Sequence, residues 1–357
     1  MAISGITGAQ SVIRPGVCTS STRPASPYDG QVIYMTDVDQ TAVWDGSQWT
    51  VLAPIAGGRN RVINGDFKVW QRGTSFTTMN TYTADRWFAE AGTGRTITRQ
   101  VTGDTTNLPD IQYCLRYQRN SGNTSTAVMV ISQSIETANS IPLVGKRVTY
   151  SFYARAGANY SGASNALVAY LVSGTGTDQN QRSGYTGQAL PIMQNATLTT
   201  TWQRFSFTAN VPTSVTELAV LLEYVPVGTA GANDYFEATG FQLEAGAVAT
   251  PFEFEEHSQT LQKCQRYCEV VNWSNFYGAA YGGTDLYLPV YYKVTKRTTP
   301  TVTLPSSTNA IRNTSNVNAT PIYAWTALPT VDMFNLYAGS NSIIAINANS
   351  ATVSAEL

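Results

Sequence analysis

The sequence is short of charge and nearly free of histidine. Asp, Glu, Lys and Arg make up 13% of its 357 residues, against about 25% in typical soluble domains. Lys and Arg number 22, Asp and Glu 23, and the formal net charge is −1. No basic field is available to hold nucleic acid or an anionic membrane surface. His257 is the one histidine. No G-x-S-x-G elbow or Cys-His motif accompanies it, and the chain has no P-loop and no G-x-G-x-x-G after a strand. Four cysteines in 357 residues are too few for a disulfide framework. The longest apolar runs, such as LAVLL, fall far short of the ~20 residues of a membrane span. The first residues, MAISGITGAQSVIRPGVC, lack a basic stretch followed by an apolar one, so no secretory signal is expected. These absences predict a chain made in a cytoplasm, with no nucleic-acid partner, no membrane insertion and no cofactor. It would act outside a cell only as part of a particle.

Ser, Thr, Asn, Gln and Gly carry the polarity instead, together with 20 tyrosines and 7 tryptophans. Such residues suit strand faces and turns. Residues 1 to 22 show no periodicity, and RPASPYDG then supplies turn chemistry. QVIYMT, TAVW and WTVLA follow as three short strands joined at DVDQ and DGSQ. A meander this small buries too little to stand alone, and is expected to dock on another chain or a second copy of itself. APIAGGRN is the next linker. From there to about Phe254, β-rich segments recur, broken by Gly, Asn, Asp or Pro: RTITRQVT, YCLRYQR, AVMVISQSI, KRVTYSFYARA, NALVAYLV, WQRFSFTANV, TELAVLLEYV and DYFEATGFQLE. Val148, Tyr150, Phe152 and Ala154 alternate with Thr149, Ser151, Tyr153 and Arg155. Gln203, Phe205, Phe207 and Ala209 alternate with Trp202, Arg204, Ser206 and Thr208. Two-residue alternation over many strands without helices predicts a β-sandwich.

The exception is 257–269, where Leu261, Cys264, Tyr267 and Cys268 repeat at helical spacing. This predicts one connecting helix. His257, Cys264 and Cys268 could chelate a metal only with a fourth ligand from elsewhere. The simpler reading makes both cysteines small apolar residues of a buried stripe. Glu253, Glu255 and Glu256 cluster just before the helix, where its dipole favours acids, so they do not read as a glycosidase pair. Asp66 offers one carboxylate to a structural calcium, which needs six to eight oxygens. Alternatively, Gly65 makes a turn there, Phe67 and Trp70 fill the core, and Arg72 pairs with an acid.

Beyond the helix, LYLPVYYKV, TVTLP, PIYAWTAL, MFNLYA and SIIAINA predict a second, smaller β-domain. Its first part concentrates Trp273, Phe276, Tyr277, Tyr281, Tyr287, Tyr291 and Tyr292 among Asn272, Asn275 and Asp285. Aromatic faces stack on the apolar face of a sugar, and amides and carboxylates take its hydroxyls. Trp273, Tyr277, Tyr281, Asp285 and Tyr287 are therefore candidate glycan ligands. The same composition fits a packed trimer interface equally well.

Three segments together resemble proteins of tailed-bacteriophage fibres. NRVINGDFKVWQRGTSFTTMNTYTADRWFA, closed by ATGFQLEAGAVATPFEF, is similar to a jelly-roll module of such virion proteins, itself like carbohydrate-binding modules. LQKCQRYCEV matches the short helix that follows that module, with Cys268 standing where the pattern carries a second Tyr. RPASPYDGQVIYMTDVDQTAVWDGSQW resembles a small hairpin unit near the N-termini of phage fibres. The resemblance implies a non-enzymatic, homotrimeric receptor-binding protein of the virion, assembled in the host cytoplasm. It places virion attachment in residues 1–58, a jelly roll in 59–256 and a connecting helix in 257–269. Leu261, Cys264, Tyr267 and Cys268 of that helix would meet partner chains. Residues 270–357 would form a receptor-binding tip against a bacterial surface glycan. A head fibre, decoration or baseplate spacer without receptor contact is the alternative, and a polysaccharide depolymerase ranks last.

Overall fold

The structure, a computed structural model, describes residues 16–37, 40–52, 58–273, 276–278, 285–304, 326–339, 344–346 and 349–357. Its first unit is the expected meander, β2 (Val32–Met35), β3 (Gln40–Trp44) and β4 (Trp49–Val51). β1 (Gly16–Cys18), within a stretch read as irregular, adds in parallel beside β2. Ile33, Met35 and Ala42 are its only fully buried cluster among the described residues.

The central unit holds β5 (Ser75–Phe76), β6 (Thr81–Tyr82), β7 (Phe88–Glu90), β8 (Arg95–Val101), β9 (Tyr113–Arg119) and β10 (Met129–Ile135). A short helix, α1 (Thr137–Ser140), follows. Then come β11 (Arg147–Ala156), β12 (Ala166–Gly174), β13 (Ala189–Thr197), β14 (Gln203–Asn210), β15 (Glu217–Tyr224) and β16 (Tyr235–Ala245). They form two antiparallel sheets, β13-β12-β15-β10-β7-β6 and β14-β11-β16-β9-β8-β5, packed as a jelly-roll sandwich. The fold is mainly β, as the alternation predicts. Val148, Tyr150, Phe152 and Ala154 are core residues. On β14 the half-buried Gln203, Phe205, Phe207 and Ala209 alternate with the exposed Arg204, Ser206 and Thr208.

Phe67, Trp87, Phe152 and Phe241 pack ring against ring in the core centre. Two glycines make this possible. A Cβ on Gly65 would fall 2.3 Å from the Phe241 carbonyl oxygen, so the turn lies against β16 only without a side chain. Gly240 takes φ +62° where the β11–β16 register shifts between Ser151 and Tyr153, which is the positive-φ position a bulge needs.

The connecting helix α2 spans His257–Gln265, shorter than expected. Val270 and Val271 follow a turn at Arg266 and Tyr267, and Cys268 already opens β17 (Cys268–Trp273). The last unit continues with β18 (Phe276–Gly278), β19 (Asp285–Tyr291), β20 (Thr301–Thr303), β21 (Thr326–Pro329), β22 (Met333–Gly339), β23 (Ile344–Ile346) and β24 (Asn349–Ser354). Its sheets run β17-β24-β20, β18-β23 and β19-β22-β21. Val271, Ala351 and Val353 of one three-stranded sheet cluster with Val290 and Phe334 of the other, giving a small sandwich. Because the first strand pairs with the last, both ends of this unit return to the jelly roll.

Candidate functional site

Three of the four residues singled out on the helix are not available to a partner chain. Cys264, Tyr267 and Cys268 are buried within the single chain, and Leu261 alone is half-exposed. This corrects the placement of the helical stripe against partner helices: the face packs on the jelly roll instead. His257 is exposed, apart from the buried cysteines. Burial pushes the Cys268 thiol up to about 12 and raises that of Cys264 well above its ordinary value, as expected of inert core thiols. No group of three or more His, Cys, Asp or Glu that could hold a metal occurs among the described residues. Asp66 forms an ion pair with Lys68 at 2.9 Å.

Trp273 ends β17 opposite Asn349, Tyr277 lies on β18 opposite Ala345, and Asp285 and Tyr287 lie on β19 opposite Gly339 and Tyr337. Backbone pairing thus distributes these four residues over three small sheets. Tyr281 lies outside the described residues.

What surrounds the helical stripe is an ionic joint. Glu356 pairs with Arg72 at 2.8 Å and with Arg86. Arg86 also donates to the Ser134 carbonyl at 2.6 Å and lies 3.6 Å from the Tyr267 ring centroid. Gln71 Nε2 donates to Asp85 and to the Cys268 carbonyl, each at 2.7 Å. Tyr82 Oη donates to the Leu357 carbonyl at 2.6 Å, and Arg297 donates to the carbonyls of Ala355 and Glu356. The small sandwich is therefore clamped to the large one through both its first and last strands.

Asp85 sits inside this joint. Burial raises its carboxyl to about 6, with Arg72 at 3.5 Å drawing it back down. A folded value above the unfolded one, about 3.9, gives stability that is complete at low pH and is lost as pH rises through the folded value. Relative to Asp85→Asn, the parent should lose on the order of 2–3 kcal/mol of unfolding free energy between about pH 4 and pH 7. Denaturant titrations at several pH values check this, and a pH-independent difference between the two proteins would exclude it.

A second arrangement lies on the outer face of the β14-β11-β16-β9-β8-β5 sheet. Strand register sets Arg116 of β9 and Arg155 of β11 on either side of Glu237 of β16. Glu237 is fully buried. Its Oε1 accepts from Arg116 Nε and Nη2 at 2.8 and 2.6 Å, and its Oε2 from Arg155 Nε at 2.6 Å. Each arginine also covers an aromatic ring: Arg116 lies 4.0 Å from the Tyr235 centroid and Arg155 4.8 Å from that of Trp202. Both arginine side chains remain 27% exposed. The row therefore presents fixed guanidinium donors beside the half-buried Tyr235, with one buried carboxylate answering two cations. Chemically it can donate hydrogen bonds to hydroxyl or acidic oxygens while offering an aromatic edge to an apolar face.

No family model matches the chain, and no curated protein matches it. Among solved structures it is similar to the enzymatically active domain of bacteriophage CBA120 tailspike protein 4, at 12% identity over 52% of this chain and 21% of that one, with a TM-score of 0.32. This chain thus matches about a fifth of the tailspike domain's length. It is also similar to a putative sugar binding protein from Bacteroides thetaiotaomicron, at 15% identity over 52% of this chain and 99% of that one, with a TM-score of 0.31. A third is the CBM22-1 xylan-binding domain of Xyn10C from Paenibacillus barcinonensis, at 16% identity over 49% and 94% of the two chains, with a TM-score of 0.30.

Sequence reading passed over the Arg116–Glu237–Arg155 row. YCLRYQR, KRVTYSFYARA and DYFEATGFQLE each read as strands, yet the three charges lie far apart along the chain. The usable signal was an isolated charge on the polar face of each strand, in a chain with few charges to spend.

Proposed function

We propose that this chain is a non-enzymatic adhesin of a tailed-phage particle, a homotrimeric fibre protein that holds a bacterial surface glycan. The observation that carries the glycan-binding part is the Arg116–Glu237–Arg155 row with Tyr235 and Trp202 beneath and beside it. Its donors are fixed before any ligand arrives, which reduces the ordering cost of binding. The sequence resemblance to phage fibres supplies the particle. The small N-terminal meander, with Val17, Tyr28 and Leu52 exposed, suits attachment to another virion protein.

Carboxylate use supports the non-enzymatic part. Glycoside hydrolysis needs two carboxyl groups free to act, about 5 to 9.5 Å apart. Glu237 is committed to two arginines, Glu356 to two more, Asp234 to Arg119 and Glu269 to Lys296. Glu253 accepts from the backbone amides of Gly58, Arg59 and Asn60, and Glu255 from Thr260 and Lys263.

The test uses the whole chain, labelled and mixed with host bacteria, with sedimentation run in parallel. A trimer that is retained on cells without releasing reducing ends is expected. Tyr235→Ala, which leaves the ion triad in place, and Arg155→Ala should each weaken retention by about tenfold, the worth of ~1.4 kcal/mol. Incorporation into particles with no retention on cells would instead favour a head fibre, decoration or baseplate spacer.

A further inference from the structure

A cleft of about 460 Å³ opens on another side of the jelly roll, between the chain entering it, α1 and α2. Arg61, Glu136, Asn139, Lys263, Arg266 and Tyr267 line it. Its size lies in the range of small-ligand sites, about 300–1,000 Å³. Three cations face one acid of the lining, and a second acid, Glu255, pairs with Lys263 from outside it.

Among the described residues Arg61 has no ion-pair partner, whereas Lys263 pairs with Glu255 and Arg266 with Glu136. Arg266 is held loosely, with contacts of 3.2 to 3.4 Å to Glu136 and 42% of its side chain exposed. The wall behind Arg61 is rigid by contrast. Asn60 Oδ1 accepts from the amides of Val62 and Leu243, its Nδ2 donates to the Phe241 carbonyl, and the Arg61 amide donates to the Leu243 carbonyl. On the floor, the Tyr267 ring is fixed against Arg86. Two arginines, one of them without an ion-pair partner among the described residues, thus line a preformed cleft.

We propose that this cleft is a second binding site, for an acidic sugar whose carboxylate or phosphate is taken by Arg61 and Arg266. The saccharide part rests on the glycan-binding reading; the anion part rests on the cleft alone. Planar forks match carboxylate and phosphate oxygens two at a time. Asn139 supplies an amide for a ring hydroxyl, and Lys263 adds charge at the rim.

Calorimetric titration of the full chain with glucuronic acid, glucose 6-phosphate, glucose and inorganic phosphate tests this. One or both acidic sugars should saturate at about millimolar concentration, more weakly as salt rises, while glucose does not. The preferred acid identifies the source of the charge. Arg61→Met should lower that affinity at least tenfold, or ~1.4 kcal/mol, without lowering the thermal midpoint, since it removes an unpaired group. Tyr235→Ala should leave it unchanged. Equal affinity in Arg61→Met, or saturation by neither acidic sugar, overturns the site. Phosphate binding as tightly as glucose 6-phosphate overturns its saccharide part. Retention on bacteria that persists and still depends on Tyr235 would show that the cleft failed alone; loss of both readouts would sink the adhesin as well.

Discussion

Replacing Arg86 with methionine is expected to destabilise the protein by about 3–5 kcal/mol, the usual cost of leaving a buried charge without its partner. Arg86 is completely buried and joins three separate parts of the chain: Ser134 at the end of β10, Tyr267 after α2 and Glu356 after β24. Its backbone sits at φ +73°, a conformation that non-glycine residues adopt only where surrounding contacts over-determine it. Methionine would keep much of the apolar stem, so the loss reports the guanidinium. Glu356 would retain only Arg72 as a cationic partner. Denaturant unfolding measures the cost, and a change under about 1 kcal/mol would mean that the ion pair does not hold the joint. A double-mutant cycle with Glu356→Leu separates pairing from packing. If the pair is the cause, the double variant should be less destabilised than the sum of the single ones.

This joint changes what the end of the chain can do in the adhesin proposed above. Two β-sandwiches connected by a single helix would flex independently. Here the small sandwich is held to the large one at its first strand by the Cys268 carbonyl and after its last by Glu356 and Leu357. The proposed glycan-binding row on the large sandwich and any contact surface on the small one would therefore keep a fixed relation, which would favour simultaneous engagement of two parts of one receptor over independent searching.

The strands were legible because alternation is local. KRVTYSFYARA and WQRFSFTANV carry their own facing information, and the structure sets those faces as read. β13 was missed because Pro191, Gln194 and Asn195 break its apolar pattern at a sheet edge. The helical stripe was legible as buried but not as to what buries it. Cys268 belongs to a strand, its carbonyl taken by Gln71, and the Tyr267 ring is covered by Arg86, which pairs with Glu356. Low charge content read as a polar, weakly charged exterior. Arg86, Arg95, Arg119, Asp234, Glu237, Glu244, Glu269 and Lys296 are buried instead. Nothing local in a sequence reveals that, because each partner is recruited by the fold across tens to hundreds of residues.

One of the two fully enclosed pairs, Arg119 with Asp234, should give the second large effect. Asp234→Ala should cost about 3–5 kcal/mol, or roughly 6–20 °C in melting temperature at ~2–4 °C per kcal/mol for a unit of this size. Arg119 is fully buried and pairs with Asp234 Oδ2 at 2.8 Å. Its remaining contacts are to neutral oxygens: Ser161 Oγ and the carbonyls of Asn123, Ser125, Val227 and Gly228. Arg95, also buried, stands directly opposite on β8 and donates only to neutral oxygens of Thr93, Asn123, Ser125 and Ala127. Asp234 Oδ1 in turn accepts from Tyr224 Oη and the Ser161 amide. Tyr224→Phe removes one of these donors and no charge, so it should cost about 1.5–3 kcal/mol. Finding the two variants equally stable would show that the charge on Asp234 is not what matters. The network also bears on binding. Asp234 immediately precedes Tyr235, and Arg119 follows Gln118, which pairs with Tyr235 across β9 and β16. A weakened Asp234–Arg119 pair should loosen the strand ends that present Tyr235 and Arg116. Asp234→Ala should therefore lose retention on bacteria at temperatures below its own melting transition, whereas a purely global destabilisation would lose it only at the transition.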